Sequence, residues 1–322
     1  MSSLENNALA RGTMKKKKLA FSKGLKLQSL RSVRFKEQAL AYVFLAPSLL
    51  LFGVFLFYPL LKSVYLSLHL TDPRGRIAAF AGLDNFKELF ASDAFMKSLQ
   101  VTLSFTLLTV PTCIILALLL AALTHNKLGG MRWFRFVFSL PVAISVGTGS
   151  VIWMMLYHPS LGTLNYFLTL MGLNPVNWLT DPAWALVSVA IMTIWMNLGF
   201  NYIVLLSGLQ GVPEDIYDSA RIDGSGPLRT FARITLPLVS PTLFFVGIVS
   251  VIGAFQSFGQ IHILTKGGPM NSTDVIVFNI YQDAFVNFRF GIGSAQALVL
   301  FAIILILTAV QFRFLEKKVH YQ

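Results

Sequence analysis

The sequence predicts an all-α integral membrane protein built on six transmembrane helices. Three observations carry this. Charged residues make up only 12% of the 322 residues against 55% hydrophobic ones. Six long stretches contain no Asp, Glu, Lys or Arg, and the basic residues fall unevenly among the segments that join them. Soluble globular chains carry about a quarter charged residues, so half that value excludes an ordinary soluble domain.

Crossing the hydrocarbon core takes about 20 apolar residues at ~1.5 Å rise each. The six runs are Ala39–Leu61, Ser98–Thr124, Phe136–Tyr157, Ala183–Val212, Ile234–Thr265 and Phe290–Phe312. The fourth and fifth exceed span length, so their ends extend beyond the bilayer or bend. Pro47, Pro59, Pro111, Pro141, Pro237 and Pro241 mark ends or kinks, because proline removes a helical hydrogen bond.

Orientation follows from Lys and Arg in the connecting segments. Segments 1–38, 125–135, 213–233 and 313–322 hold 19 of the 26 basic residues, and 62–97, 158–182 and 266–289 hold 7. The first set, with both termini, is therefore cytoplasmic. The chain divides into a basic tail 1–37, a six-helix domain 38–318 and a short end 319–322. The tail reads as a topology anchor beside anionic lipid, with Leu25–Phe35 along the membrane surface. It leads straight into a membrane helix, so the net charge of +12 gives no support to nucleic-acid binding.

No reactive constellation is present. Cys113 is the single cysteine, and its place inside a span reads as packing. His69, His125, His158, His262 and His320 sit on separate segments without metal-ligand spacing, so no catalytic or metal site is predicted. The spans also lack the ionisable groups by which ion-coupled carriers bind their driving ion. A phosphate-binding loop of the G-x-x-x-x-G-K-[ST] type is missing too. Uphill transport by this chain would draw its power from another subunit.

That directs attention to residues 213–237. Pro213 suits a first helical position, and Glu214 and Asp215 complement the helix dipole. Ile216, Tyr217 and Ala220 form a small apolar face, expected to be presented to a partner. Gly224 and Gly226–Pro227 stop the helix and turn the chain. Leu228, Phe231, Ala232 and Ile234 then lead back to the membrane at Pro237.

The loop resembles the signature of permease subunits in binding-protein-dependent ABC importers: E-A-A, three residues, G, nine residues, I-x-L-P. Here it reads Asp218-Ser219-Ala220, Gly224 and Ile234-Thr235-Leu236-Pro237. Further matches resemble the carbohydrate branch, of the maltose and glycerol-phosphate type. These are Phe80–Phe86, Phe134-Arg135, Leu140-Pro141, Gly162–Asn165, Gly208–Gln210 and Thr265–Pro269. The resemblance covers roughly residues 38–318 and implies a type I importer bundle in the bacterial cytoplasmic (inner) membrane.

The resemblance implies that the helix 214–224 docks on an ATPase subunit, through Glu214, Ile216, Tyr217, Asp218, Ser219, Ala220, Asp223 and Gly224. It implies a homologous but distinct second permease, two ATPases and a periplasmic or lipid-anchored solute-binding protein. ATP and Mg would be held by the ATPases, with no cofactor on this chain.

Polar groups in a bilayer face the bundle interior or water. Asn197 and Asn201 share a face of the fourth span. On the fifth, Ser250 and Ser257 flank Gly253 and Ala254, with Gln256 and Gln260 nearby. Neutral hydrogen-bonding groups among Phe255 and Phe258 suit a sugar. Tyr202 is a further polar candidate on the fourth span, and alignment to related sugar permeases adds Leu198 and Gly199 to this path. The competing readings are a stand-alone secondary carrier or channel, and an importer of an acidic sugar or polyol phosphate. Lys266, Arg289 and His262 would then supply positive charge at the outer mouth.

Overall fold

The computed structural model describes residues 40–125 and 130–315. The expectations for 1–37, Leu25–Phe35 and 319–322 lie outside those residues. The chain forms two compact units, Met1–Lys62 and Ser63–Gln322. A helix, α1 (Leu40–Ser67), runs across the division. It carries one wide π turn at Gly53–Phe57. Pro59 sits just after it, and a π turn is one way a helix absorbs the carbonyl that proline displaces.

Near its start the second unit carries the one sheet among the described residues. It is an antiparallel ribbon of β1 (His69–Thr71) and β2 (Ile77–Phe80). Asp72 ties its loop by accepting from the backbone N–H groups of Arg74 and Arg76 at 3.0 and 2.7 Å. After α2 (Asp84–Ala91), α3 (Asp93–Thr124) runs for 32 residues. It starts earlier than the charge-free run, because Ser92 caps it and Asp93 favours its first turn. Pro111 lies inside this helix and does not end it.

The third expected span is not one straight helix. α4 (Met131–Ser139) and α5 (Val146–Leu156) meet at 105°. Leu140–Ala143 tightens to a 3₁₀ turn containing Pro141, Ile144 and Ser145 are extended, and Ser145 caps the restarted helix at Thr148 N–H. Hydropathy alone does not register such an elbow.

Next come α6 (Thr163–Leu170) and α7 (Pro182–Gln210), then α8 (Glu214–Ile222). Residues 227–238 return as helix with a π turn at Phe231–Thr235, ahead of Pro237. The fifth span is α9 (Ser240–Phe255) plus α10 (Gly259–Leu264), broken at 256–258. It therefore begins later than expected, and its break falls where Gln256 is exposed. α11 (Ile276–Tyr281) and α12 (Phe290–Leu315) complete the unit.

The main pairing is α3 against α7. Ala117 and Ala121, one turn apart and wholly buried, let the two helices approach closely. Around them cluster Leu205, Leu209, Val212, Val239 and Val246. Toward the other end a second core gathers Phe105, Val189, Met192, Ile261 and Phe278. Hydroxyls in α3 cost little to bury, since Ser98, Thr102, Thr106, Thr109 and Thr124 each bond a carbonyl one turn back.

Candidate functional site

α8 is a nine-residue helix with Glu214 and Asp215 in its first turn and Arg221 in its last. Pro213 stands at the N-cap with extended backbone, one place before the position expected of it. The end is a Schellman cap. Gly224 takes φ +69°, its N–H donates to Arg221 O at 3.0 Å, and Ser225 N–H donates to Ala220 O at 2.9 Å. A Cβ at Gly224 would meet nothing within 4 Å, so the requirement for glycine is purely dihedral.

The apolar face of α8 is turned inward, contrary to expectation. Ala220 is buried, and Ile216 and Tyr217 pack on the core of α3 and α7. What faces outward is polar: Glu214, Asp215, Asp218, Ser219 and Asp223. Asp218 pairs with Arg221 at 3.1 Å. Two bulky apolar side chains join them, Ile222 at 86% and Leu228 at 84% exposed. Small hydrophobic faces are satisfied first by the nearest apolar surface, here the chain's own. Between α8 and the ends of α3 and α7 lies a cavity of about 470 Å³ lined by Leu119, His125, Tyr217, Arg221, Leu228 and Phe231 among others.

The structure brings Asn197, Asn201, Ser250 and Ala254 together around a second, much smaller cavity of about 20 Å³. That holds roughly one water. Asn201 donates to Ser250 Oγ at 3.3 Å and to Cys113 Sγ at 3.2 Å. Thr109, Cys113 and Thr193 also line it, and Gln260 donates to Thr193 at 3.3 Å. The sequence held a signal for Thr193, which stands one turn before Asn197 and two before Asn201. Thr109 and Cys113 likewise stand one turn apart on α3.

The remaining expected path residues lie elsewhere. Ser257 is buried and donates to Gly253 O at 3.2 Å, and Gly253 faces open space. Gly199 is a packing position, because a Cβ there would meet Val142 N at 2.9 Å and Ser139 O at 3.0 Å. Leu198 joins the core packing. Tyr202 is 1% exposed, stands edge-on to Phe138 at 5.7 Å and bonds Thr124 Oγ1 at 2.7 Å.

At the opposite end, loops are pinned by side chains. Asn165 donates to Pro159 O at 2.8 Å and Val176 O at 3.0 Å, and accepts from Val176 N–H and Trp178 Nε1. Asn85 donates to Ser67 O and His69 O. Arg289 is paired with Glu88 and lies 3.6 Å from Asp283, so its charge is already engaged. Burial, with help from Asp283, pushes the Asp274 carboxyl up to about 6 against the opposing bond from Asn279.

Fold and site thus define a class: a helical, membrane-embedded transport component, with its distinctive motif in the loop between the fourth and fifth spans. The family described as "Binding-protein-dependent transport system inner membrane component" matches residues 75–321, and the chain belongs to it. It is a permease component of an ABC importer, on the carbohydrate branch to which the motifs point. The sn-glycerol-3-phosphate transport system permease protein UgpA of Agrobacterium fabrum is 35% identical over 91% of this chain and 100% of its own length. The UgpA of Pectobacterium atrosepticum is 33% identical over 89% and 98%.

Among solved structures, a bacterial ABC transporter involved in the import of the acidic polysaccharide alginate matches with TM-score 0.78 and 25% identity. The match covers 88% of this chain and 96% of that one. The alginate transporter in complex with its pentasaccharide-bound periplasmic protein matches with TM-score 0.77, also at 25% identity, over 86% and 94%.

Proposed function

We propose that this chain forms half of the pore of an ATP-driven importer, moving a carbohydrate or polyol derivative across the bacterial cytoplasmic membrane. A solute-binding protein delivers the solute on the side of loops 62–97, 158–182 and 266–289. Both termini and α8 lie in the cytosol. A homologous second permease completes the pore, and two ATPase subunits hold ATP and Mg. α8 and its cap, Glu214 to Gly224, form the ATPase contact. Asn197, Asn201, Ser250, Gly253, Ala254 and Ser257 line the path, which opens when the seam between α7 and α9 parts.

The observation that carries this is the construction of α8. A short helix is glued to its own bundle by Ala220, Ile216 and Tyr217. It ends at a glycine with open space beside it, and it turns a polar face with two apolar tips outward. Such a helix moves with α3 and α7 when it is pushed. The test is the reconstituted complex carrying Gly224→Val. Uptake per ATP hydrolysed is expected to fall at least tenfold, or the ATPase subunits to dissociate. Wild-type uptake and hydrolysis would refute the assignment.

A second reading is an anionic solute. The glycerol-phosphate and alginate relatives both handle anionic compounds by name. The six charge-free spans and the engagement of Arg289 with Glu88 and Asp283 weigh toward a neutral one. Calorimetry on the cognate binding protein with a neutral oligosaccharide, a uronate oligomer and a polyol phosphate separates the two.

A further inference from the structure

The end of α3 is held in an unusual way. Its last carbonyls have no helical partner, as at any helix C-terminus. Here one side chain from the next helix takes them. Arg135 of α4 donates through Nε and Nη2 to Thr124 O, at 3.0 and 2.8 Å, and through Nη2 to His125 O at 3.1 Å. A guanidinium suits this position twice over, as a multidentate donor and as a positive charge at the negative end of the dipole.

Two contacts leave this corner in opposite directions. The His125 ring lies 5.8 Å from that of Tyr217 on α8, and Tyr217 OH accepts from Thr235 at 3.4 Å. On the other side, Thr124 Oγ1 donates to Leu120 O at 2.8 Å, so at 2.7 Å it accepts from Tyr202 OH. Tyr202 adjoins Asn201, which closes the small cavity against Ser250. Tyr202 is also gripped by Phe138 of α4, and Gly199, less than one turn earlier, packs on Ser139 and Val142 at the elbow. The elbow, the corner and the cavity wall therefore share one set of close contacts.

The geometry points to Arg135, Thr124 and Tyr202 as positioning residues that carry the displacement of α8 to the seam between α7 and α9. Arg135 fixes the corner, Tyr217 and His125 bring the push, and Tyr202 passes it to Asn201. This rests on the assignment of α8 as the ATPase contact. None of the three side chains needs to touch solute.

The test uses the whole importer in proteoliposomes with its binding protein, reading uptake per ATP hydrolysed and the half-saturating solute concentration. Thr124→Val and Tyr202→Phe each remove one hydroxyl and keep the bulk. Each is expected to lower uptake per ATP about three- to tenfold. The double variant should be no worse than either single, because both delete the same bond. Arg135→Gln should lose about tenfold and Arg135→Lys, which keeps the charge at the dipole but not the fork, recover only part of it, which mere loss of folding would not show. If Arg135→Gln fails to assemble, the two hydroxyl variants decide.

Three results would overturn the relay: wild-type ratios at Thr124→Val and Tyr202→Phe, additive losses in the double, or an effect confined to half-saturation. The last would place Tyr202 on the solute instead. Gly224→Val run alongside separates the two levels. If it uncouples while the hydroxyl variants do not, the relay alone fails. If none of the variants uncouples, the assignment of α8 fails with it.

Discussion

The two ends of the bundle in the second unit are built on opposite plans. At the end carrying loops 158–182 and 266–289, side chains stitch the backbone down. Asn165 makes four bonds, and Gln296 bridges Asn279 and Asp283 at 3.0 and 2.7 Å. Gly162 there is wedged against the His158 carbonyl, where a Cβ would sit 2.3 Å away. At the end carrying α8, the loop leans on three apolar side chains above a cavity, and its glycine stands in the open. One end is a fixed platform, the other a handle. Polar side chains that tie several groups at once rigidify, whereas a helix held by a small apolar face moves as a unit with what it leans on.

The glycines give the widest test of that contrast. Gly162→Ala is expected to destabilise by about 3 kcal/mol, since two carbonyls and an N–H must move aside. Gly224→Ala should cost only about 1 kcal/mol, the price of a left-handed dihedral. Thermal unfolding of the purified permease reads both. Equal costs, or the reverse order, would break the comparison.

Asp274 sharpens it through pH. Its carboxyl is held near 6 by burial, whereas an ordinary aspartate titrates near 3.8. Below about pH 4 the group is protonated in both folded and unfolded chains, so burial costs nothing there. Between about pH 4 and 6 the unfolded chain releases this proton while the folded one keeps it, so stability is lost across that window and levels off above 6. Asp274→Asn should therefore raise stability at pH 7.5 by about 2 kcal/mol, with the gain vanishing near pH 4. A gain independent of pH would contradict the buried-carboxyl account.

The smallest expected effect on stability is at the handle's tips. Ile222→Ser and Leu228→Ser should change unfolding by less than about 0.5 kcal/mol, as exposed positions do. Binding of the ATPase subunits, measured by co-purification or interferometry, should nevertheless weaken about tenfold. Unchanged binding would mean that the polar face alone makes the contact.

Much of this was legible in the sequence because it depends on charge and local pattern. Absence of charge located all six apolar runs, and the acidic first turn with Gly224 located α8. What escaped depends on tertiary contacts. Pro141 marked a kink, but its size came from Ser145 restarting the helix after two extended residues. The excess length of the fifth run allowed a bend, but with no proline at 256–258 nothing local placed the break there. Ile216, Tyr217 and Ala220 were read correctly as a face, but a face does not say which surface it meets. Tyr202 read as a polar group for solute, yet Thr124, 78 positions away, takes its hydroxyl. Arg135 was visible only as part of a motif, its reason hidden in two carbonyls of the preceding span.

The length of α3 has a consequence of its own. At ~1.5 Å per residue its 32 residues measure roughly 48 Å, well beyond a hydrocarbon layer of about 30 Å. This one helix, with Pro111 inside it, is thus longer than that layer is thick. Its foot meets the corner formed by Arg135 and His125, while Thr102, near its head, accepts from Ile276 N–H at 2.8 Å. A displacement at one end reaches the other only through Pro111, where the ring takes the place of a backbone hydrogen bond.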